Sequence, residues 1–265
     1  MKKYLEVFRW SFKMQLIWRL DVVMTLAAIL GEIIAAGVLW NAAFSGRELV
    51  SGFTFHGMLS YYLTGSLLVS LDMSPRISRE VSRLIREGSF SKHMVTPMNP
   101  FGFFCTKAAG QSASRLGFSF LAAAIAAGLL KINISPSWAL PRLVLGISTA
   151  LLGLLFMAGY HYVIGILAFR FVEMEFFLYL QEAILSFATG ALVPLSLLRG
   201  PLADFLRFLP FPHVVFTPAM LLTDQMSVAE GCLSLAVLLV WLAAILLAGQ
   251  WLYHSLRTRY EGVGV

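Results

Sequence analysis

Residues 143–169 read LVLGISTALLGLLFMAGYHYVIGILAF, an apolar run that contains no Asp, Glu, Lys or Arg. A helix needs about 20 apolar residues to cross the roughly 30 Å of hydrocarbon in a bilayer. The whole chain shares this character, because 58% of its residues are hydrophobic and 13% are charged, with a mean hydropathy of +0.79. A water-soluble domain of 265 residues has no interior that could bury so much apolar surface. The sequence therefore predicts an integral membrane protein.

Five further apolar runs accompany this one, each bounded by charged residues or proline. They cover residues 22–44, 55–71, 103–130, 176–198 and 232–253. The run at 103–130 is the most polar of the set, because Lys107, Gln111 and Arg115 lie in its first half. Helices satisfy their own backbone hydrogen bonds in lipid, and these runs have helical length. We therefore expect an all-α membrane protein with six transmembrane helices, forming a single domain over residues 1–265.

Lysine and arginine are distributed unequally between the two sides of this predicted bundle. With a cytoplasmic N-terminus, fourteen of the twenty basic residues lie on the cytoplasmic side, five lie on the opposite side, and Arg115 lies within the membrane. Cytoplasmic loops of membrane proteins carry such an excess, so both termini are predicted to be cytoplasmic. Topology and anionic lipid thus account for the sequence pI of about 9.5, and we predict no nucleic-acid partner.

The segment before the first run has an amphipathic pattern. Lys2, Glu6, Arg9 and Lys13 recur at helical spacing, with apolar residues between them. This pattern is typical of a helix that lies in the membrane interface, here over residues 1–21. An ordinary charged flank of the first span is the alternative.

The cytoplasmic link between the second and third runs reads PRISREVSRLIREGSFSKHMVTPMNP over residues 75–100. Ser74 is a candidate N-cap, Pro75 suits the first helical position, and Gly88 suits the end, so a helix is predicted over 75–88. Its apolar stripe consists of Ile77, Val81, Leu84 and Ile85; its polar face consists of Arg76, Arg79, Glu80, Arg83, Arg86 and Glu87. A solvated linker would leave the stripe exposed. The pattern alone leaves anionic lipid and a cytoplasmic protein equally open as its cover.

Residues 199–230 are too apolar for an aqueous loop, yet prolines interrupt them. Pro201, Pro210, Pro212 and Pro218 exclude one continuous transmembrane helix. We expect two short helices that dip into the outer leaflet, with Pro194 just before them. Because lipid cannot satisfy the broken backbone, the hairpin must contact protein or line a cavity. A gate or exit rim is favoured over a substrate site.

Polar side chains inside the predicted spans are expensive and need partners. At about 1.5 Å per residue, Glu32 lies about 15 Å deep and Arg115 about 18 Å deep, which predicts an ion pair between them. Gln111, His161 and Glu182 lie at roughly 9 to 12 Å on three different spans. Both sets are either packing residues or parts of a substrate path, and the second set would suit an amphiphilic or cationic substrate.

Glu173 and Glu175 lie outside the spans and are expected in a solvated turn.

Two segments resemble ABC-2 type exporter permeases, in particular a six-span subgroup of similar length. The first is REVSRLIREGSFSKHMVTPMNPFGFF, where the matching residues are Glu80, Val81, Gly88, Met94, Pro97 and Pro100. The second is residues 190–222, where they are Gly190, Val193, Pro194, Leu195, Leu209, Pro210, Phe211 and Pro218. The chain departs from the family pattern at residues 197–200, Leu-Leu-Arg-Gly, where relatives often carry phenylalanine and proline.

The resemblance implies the permease subunit of an ATP-driven ABC exporter in a cytoplasmic, bacterial inner membrane. Two such permeases, identical or related, would form the pathway, and each would engage a cytoplasmic ABC ATPase subunit through the coupling helix at 75–88. The coupling residues it implies are Arg76, Ile77, Glu80, Val81, Leu84, Ile85, Glu87 and Gly88. The chain has no G-x-x-x-x-G-K-[ST] phosphate loop, so ATP and Mg would bind to the partner and this chain would not be an enzyme.

Two other classes of protein stay open. A multi-span membrane enzyme would need a nucleophile, base or metal cluster, and the sequence shows no H-E-x-x-H motif and no metal-ligand spacing around Cys105 or Cys232. A proton-coupled secondary transporter would use Glu32 or Glu182 as its proton relay and would need no ATPase.

Overall fold

A computed structural model describes residues 2–17, 19–50, 52–132, 137, 139–171, 174–198 and 200–257. Arg199 and Glu173, which the sequence analysis named, lie outside the described residues. The regular elements in the described part are all helical, as predicted. They are α1 Lys2–Ile17, α2 Arg19–Ala43, α3 Phe55–Leu71, α4 Pro75–Arg86, α5 Ser91–Val95, α6 Pro100–Leu129, α7 Leu140–Ile166, α8 Glu175–Ala188, α9 Pro201–Phe208, α10 Phe216–Leu222 and α11 Val228–Leu256. Single 3-10 turns lie at Leu167–Phe169, Leu195–Leu197 and Phe211–His213.

Among the described residues, four helical segments are long and apolar enough to cross a membrane. They are Val23–Ala43, Pro100–Leu129, Leu140–Phe169 and Val228–Leu256. The pair Pro201–Phe208 and Phe211–Leu222 passes the same test only as a segment bent by 67°. The chain therefore has the multi-span apolar helices of a membrane protein, and the count of six spans stays a prediction.

The helices α3 and α8 are the two predicted spans that fall short. Helix α3 begins and ends where the apolar run does, and its 17 residues measure about 25 Å. Helix α8 has 14 residues and ends at Ala188, ten residues before the predicted boundary at 198. It ends there because Gly190 adopts a φ of 79°, which a continuing right-handed helix does not allow. The apolar run continues beyond the helix as a turn.

Small residues let the helices approach one another closely. A Cβ built on Gly110 of α6 would lie 2.6 Å from the Phe8 carbonyl oxygen of α1, so α1 lies directly on α6. A Cβ on Gly159 of α7 would lie 3.1 Å from Ile245 of α11. Large apolar side chains such as Val38, Val240 and Trp251 remain exposed on the outer faces of α2 and α11. These faces suit contact with lipid.

Candidate functional site

The helix α4 is built into the bundle through its apolar stripe. Ile77, Val81 and Ile85 are buried, with Val81 fully inaccessible, and they share a cluster with Phe104 of α6 and Ile166 of α7. Leu84 is partly buried against the same cluster. The stripe is thus covered by this chain itself. The expectation that lipid or a partner protein covers it is wrong, because a pattern of spacing shows that a face is buried and not which molecule buries it.

The start of α4 is capped differently from the expectation. Ser74 makes no side-chain capping hydrogen bond. The Ser74 backbone N–H instead donates to Asp72 Oδ1 at 2.9 Å. Burial raises the pKa of the Asp72 carboxyl, and its hydrogen bonds to Ser74 oppose that shift. Pro75 occupies the first turn as predicted, and Gly88 follows the helix end with a φ of 75°.

Two ion pairs join α4 to α8 in an antiparallel ladder. The Arg79 guanidinium lies 2.6 Å from Glu182 Oε1, and the Arg86 guanidinium lies 3.3 Å from Glu175 Oε1. From the first pair to the second, the arginine position rises by seven residues and the glutamate position falls by seven. Seven residues are two helical turns, so the two helices run in opposite directions. From the sequence, Glu182 was expected in a polar cluster within the membrane and Glu175 in a solvated turn, and neither was paired with an arginine. The matching spacing of seven in the two helices was the signal that could have found the ladder.

Two further contacts join α4 to its other neighbours. Lys107 Nζ of α6 donates to Glu80 Oε1 at 2.6 Å, and both side chains are largely shielded from solvent. Arg76 Nη1 donates to Gln15 Oε1 of α1 at 3.2 Å. Of the predicted coupling residues, Arg76 and Glu80 therefore hold α4 in place within its own chain.

The remaining face of α4 carries exposed side chains, and so does the end of α5. Arg83 and Glu87 are exposed, and Val95 at the end of α5 is 84% exposed, the largest fraction among the exposed large apolar side chains of the described residues. Exposed apolar and charged side chains together supply what the core and rim of a protein contact need. Arg83 and Glu87 were both predicted to lie on the polar face of α4, Glu87 alone of the two was among the predicted coupling residues, and Val95 was missed. We call Arg83, Glu87 and Val95 the outward surface.

A cavity of about 200 Å³, called here the inner cavity, lies between α3, α7, α8 and the segment that follows α8. Its apolar lining includes Leu68, Met157, Leu185, Val214 and Val215, and its polar lining consists of Asp72, His161, Glu182, Ser186 and Thr189. The structure thus brings together His161 and Glu182, as the sequence analysis expected. Gln111 lies elsewhere, in a cavity beside α1. Asp72 was missed because it lies just beyond a predicted span.

His161 is fully buried and faces α4. Its Nδ1 lies 3.1 Å from Ser78 Oγ, while its Nε2 has no hydrogen-bond partner. Since an imidazole nitrogen without a partner is costly to bury, His161 is a candidate contact for a molecule in the inner cavity.

The predicted ion pair between Glu32 and Arg115 does not form. Glu32 lies on the side of α2 that faces α3, where Ser66 and Tyr62 are its polar neighbours. Matching depths did not bring these two side chains together, because depth along a helix says nothing about the direction in which a side chain points.

The hairpin after α8 is short and broken, as its prolines predict. Pro210 precedes a 3-10 turn, and Pro212 and Pro218 are buried. The turn that joins α8 to the hairpin is attached to α3 by two tyrosines: the Tyr61 hydroxyl donates to the Gly190 carbonyl at 2.7 Å, and the Tyr62 hydroxyl donates to the Leu192 carbonyl at 2.5 Å. Pro194 lies between these anchors and the 3-10 turn at Leu195. The described residues contain no group of three metal-ligating side chains.

A comparison with curated proteins gives no match. A comparison with protein-family models matches residues 20–264, nearly the whole chain, to the ABC-2 family transporter proteins. The matched region includes α4, its seat on α7 and the inner cavity. The chain therefore belongs to the ABC-2 transporter family and is a membrane permease component of an ABC transporter.

Proposed function

We propose that this chain is the permease of an ATP-driven exporter, in which two permeases, identical or related, enclose the pathway and two ABC ATPase subunits bind at the cytoplasmic face. The observation that carries the proposal is the division of α4 into two faces. One face is buried in the bundle through Ile77, Val81 and Ile85, and the other presents the outward surface. Because α4 is packed against the bundle on one face and exposed on the other, a partner protein can contact it, and its movement can reach the spans.

The contact surface that we propose for the ATPase is Arg83, Glu87 and Val95. It replaces Val81 and Ile85, because buried side chains cannot reach a partner. ATP and Mg bind to the ATPase partner in this proposal, and this chain contributes no nucleotide site.

Movement of α4 would reach three helices at once. Val81 packs against Gly165 of α7, Arg79 and Arg86 pair with α8, and Glu80 pairs with Lys107 of α6. Since α7 and α8 line the inner cavity, a shift of α4 would change its shape. The polar lining contains the carboxyl groups of Asp72 and Glu182, and because Arg79 balances the charge of Glu182, Asp72 is the group that would favour a cationic or amphiphilic cargo.

The proposed topology keeps six spans with cytoplasmic termini in a bacterial inner membrane. Helix α3 crosses as a short span, α8 crosses together with the turn up to Leu198, and α9 and α10 form a bent hairpin in the outer leaflet. The buried prolines Pro212 and Pro218 and the two tyrosine anchors support a fixed gate or exit rim there.

Purification of the tagged chain from its native host, followed by mass spectrometry, tests the partner. An ABC ATPase subunit at a one-to-one ratio is expected. Its absence, together with transport driven by a pH gradient, would contradict the proposal.

Paired surface variants in reconstituted vesicles test the site of contact. Arg83→Glu and Val95→Asp are expected to lower ATP-dependent transport and ATPase copurification by at least tenfold when combined. The matched controls are Arg47→Glu and Leu49→Asp, which make the same kinds of change at exposed residues after α2. These controls lie on the opposite side of the membrane and should leave both readouts unchanged. Equal effects of the two pairs would exclude the outward surface as the docking site.

A further inference from the structure

A second cavity, of about 390 Å³, lies between α1, α4 and α6, and we call it the α1 cavity. Its walls are fixed rather than loose. Gly102 and Gly110 of α6 let α1 lie directly on that helix, since Cβ atoms there would approach Tyr4 to 2.9 Å and the Phe8 carbonyl oxygen to 2.6 Å. The cavity is therefore a feature of the packed fold.

The polar lining of the α1 cavity is basic and rich in hydrogen-bond donors. Arg76, Lys107, Gln15 and Gln111 line it, and none of the described residues that line it is acidic. Lys107 is paired with Glu80, and Arg76 donates to Gln15. An anion that entered would meet the hydrogen-bond donors of both cationic side chains. Guanidinium and ammonium groups form their strongest hydrogen bonds with anionic oxygens such as those of phosphate.

Ser11 independently indicates that the α1 cavity binds a ligand. It lines the cavity, its side chain is 2% exposed, and its Oγ has no hydrogen-bond partner. A buried hydroxyl without a partner is costly, and a ligand oxygen would satisfy it. Such a contact would add a third donor beside Arg76 and Lys107.

The rim of the cavity is apolar and faces outward. Trp10 and Met14 belong to the lining and are 53% and 38% exposed, and Ile17 on the same helix is 69% exposed. Tryptophan beside a basic group is typical of the level of lipid headgroups. Lys107 Nζ lies 6.0 Å from the Trp10 ring, which places charge and apolar surface side by side. A free phosphate ion would contact only the charged side chains of the lining, Arg76 and Lys107. A phospholipid would also contact the apolar rim.

We infer that the α1 cavity binds the phosphate group of an anionic phospholipid, with the headgroup beside Arg76, Lys107 and Ser11 and the acyl chains along Trp10 and Met14. Because these residues belong to α1, α4 and α6, the lipid would link the interfacial helix to the coupling helix. The site is independent of the identity of any ATPase partner.

Native mass spectrometry of the full-length chain in detergent tests the site with three probes: phosphatidylglycerol, phosphatidylcholine and inorganic phosphate. We expect one tightly bound phosphatidylglycerol per chain that at least a tenfold higher concentration of phosphatidylcholine does not displace. Equal binding of the two lipids would overturn the inference. Binding of inorganic phosphate at the same concentration as the lipid would overturn the assignment to a phospholipid.

Two single variants separate this site from general attraction to a charged surface. Lys107→Gln and Lys13→Gln each remove one positive charge, but Lys13 is an exposed residue of α1 outside the lining. Lys107→Gln should weaken phosphatidylglycerol binding about tenfold, the effect of one charged hydrogen bond, and Lys13→Gln should leave it within about twofold. An equal loss in both variants would overturn the inference.

Ser11→Ala guards against a folding defect as the explanation. It keeps the Cβ and removes a hydroxyl that has no partner within the protein, so the melting temperature without lipid should not fall. Phosphatidylglycerol binding should still weaken several-fold. Unchanged lipid affinity in Ser11→Ala would show that the hydroxyl does not face the ligand and would overturn the geometry stated above.

Discussion

Arg79 and Glu182 are joined by a 2.6 Å ion pair between α4 and α8, although 103 residues separate them along the chain. The second rung of the ladder, Arg86 with Glu175, lies two helical turns away and fixes the two helices as antiparallel neighbours. Helix α4 is therefore joined to a helix that lines the inner cavity, and the strength of this contact can be measured.

A double-mutant cycle with Arg79→Gln and Glu182→Gln measures the contribution of the pair to stability. The Arg79 side chain is 52% exposed and the Glu182 side chain 27%, so solvent screens the pair, and we expect a coupling energy of about 0.5 kcal/mol in thermal unfolding. The pair Arg207 with Asp204 is the control, because its atoms are 3.9 Å apart and both side chains are about three-quarters exposed. Its coupling energy should be near zero. Equal values for the two pairs would refute a structural role for the ladder.

Gly165→Ala is expected to loosen the packing of α4 against α7. The added Cβ would lie 2.8 Å from the Val81 Cβ and 3.2 Å from the Ser78 Cα, neither of which is the flexible end of a side chain. Overpacking of this kind costs about 1 to 3 kcal/mol, which a lower unfolding temperature would report. Gly117→Ala on α6 is the control, since it has no atom within 4 Å and should be neutral or stabilising. A stable Gly165→Ala protein with normal transport would show that this contact is not tight.

The sequence predicts the helices well because their signals are local. The run at 55–71 matches α3, and Pro75 marks the start of α4. Periodicity also identified the buried stripe of α4. It could not identify the cover, because burial by α7 and burial by a partner leave the same spacing of apolar residues in the sequence.

The contacts that sequence reasoning missed depend on the direction in which each side chain points. Glu32 and Arg115 have similar depths but do not form an ion pair, and Gln111 faces α1 rather than His161 and Glu182. The end of α8 was misplaced for a different reason. The apolar run continues through Gly190, and only the left-handed backbone at that residue ends the helix.

Gly190→Ala is expected to disturb the attachment to α3 of the turn that follows α8. Gly190 has a φ of 79°, and a Cβ there would lie 2.6 Å from Leu195 Cδ1 and 3.0 Å from the Tyr61 hydroxyl oxygen. The control is Gly46→Ala, at a φ of 74° with no atom within 4 Å. Both variants should lose about 1 to 2 kcal/mol through the left-handed backbone, so the additional loss in Gly190→Ala isolates the contact. If their unfolding temperatures fall equally, the contact is not significant.

His93 makes the stability of the segment between α4 and α6 sensitive to pH. It lies in α5 against aromatic rings, with centroid distances of 4.9 Å to Phe103 and 5.1 Å to Phe104. Desolvation lowers the pKa of the His93 imidazole below its ordinary value of 6.5, the nearby Glu80 opposes this shift, and Lys107 adds to it. The unfolded chain therefore binds a proton more readily than the folded chain, so this contribution to stability is present above pH 6.5 and is lost as the pH falls through the folded pKa. Thermal unfolding between about pH 7.5 and 5.5 should show a smaller loss of stability in His93→Gln than in the wild-type protein. A curve that keeps the wild-type slope in His93→Gln would assign the pH dependence to another group.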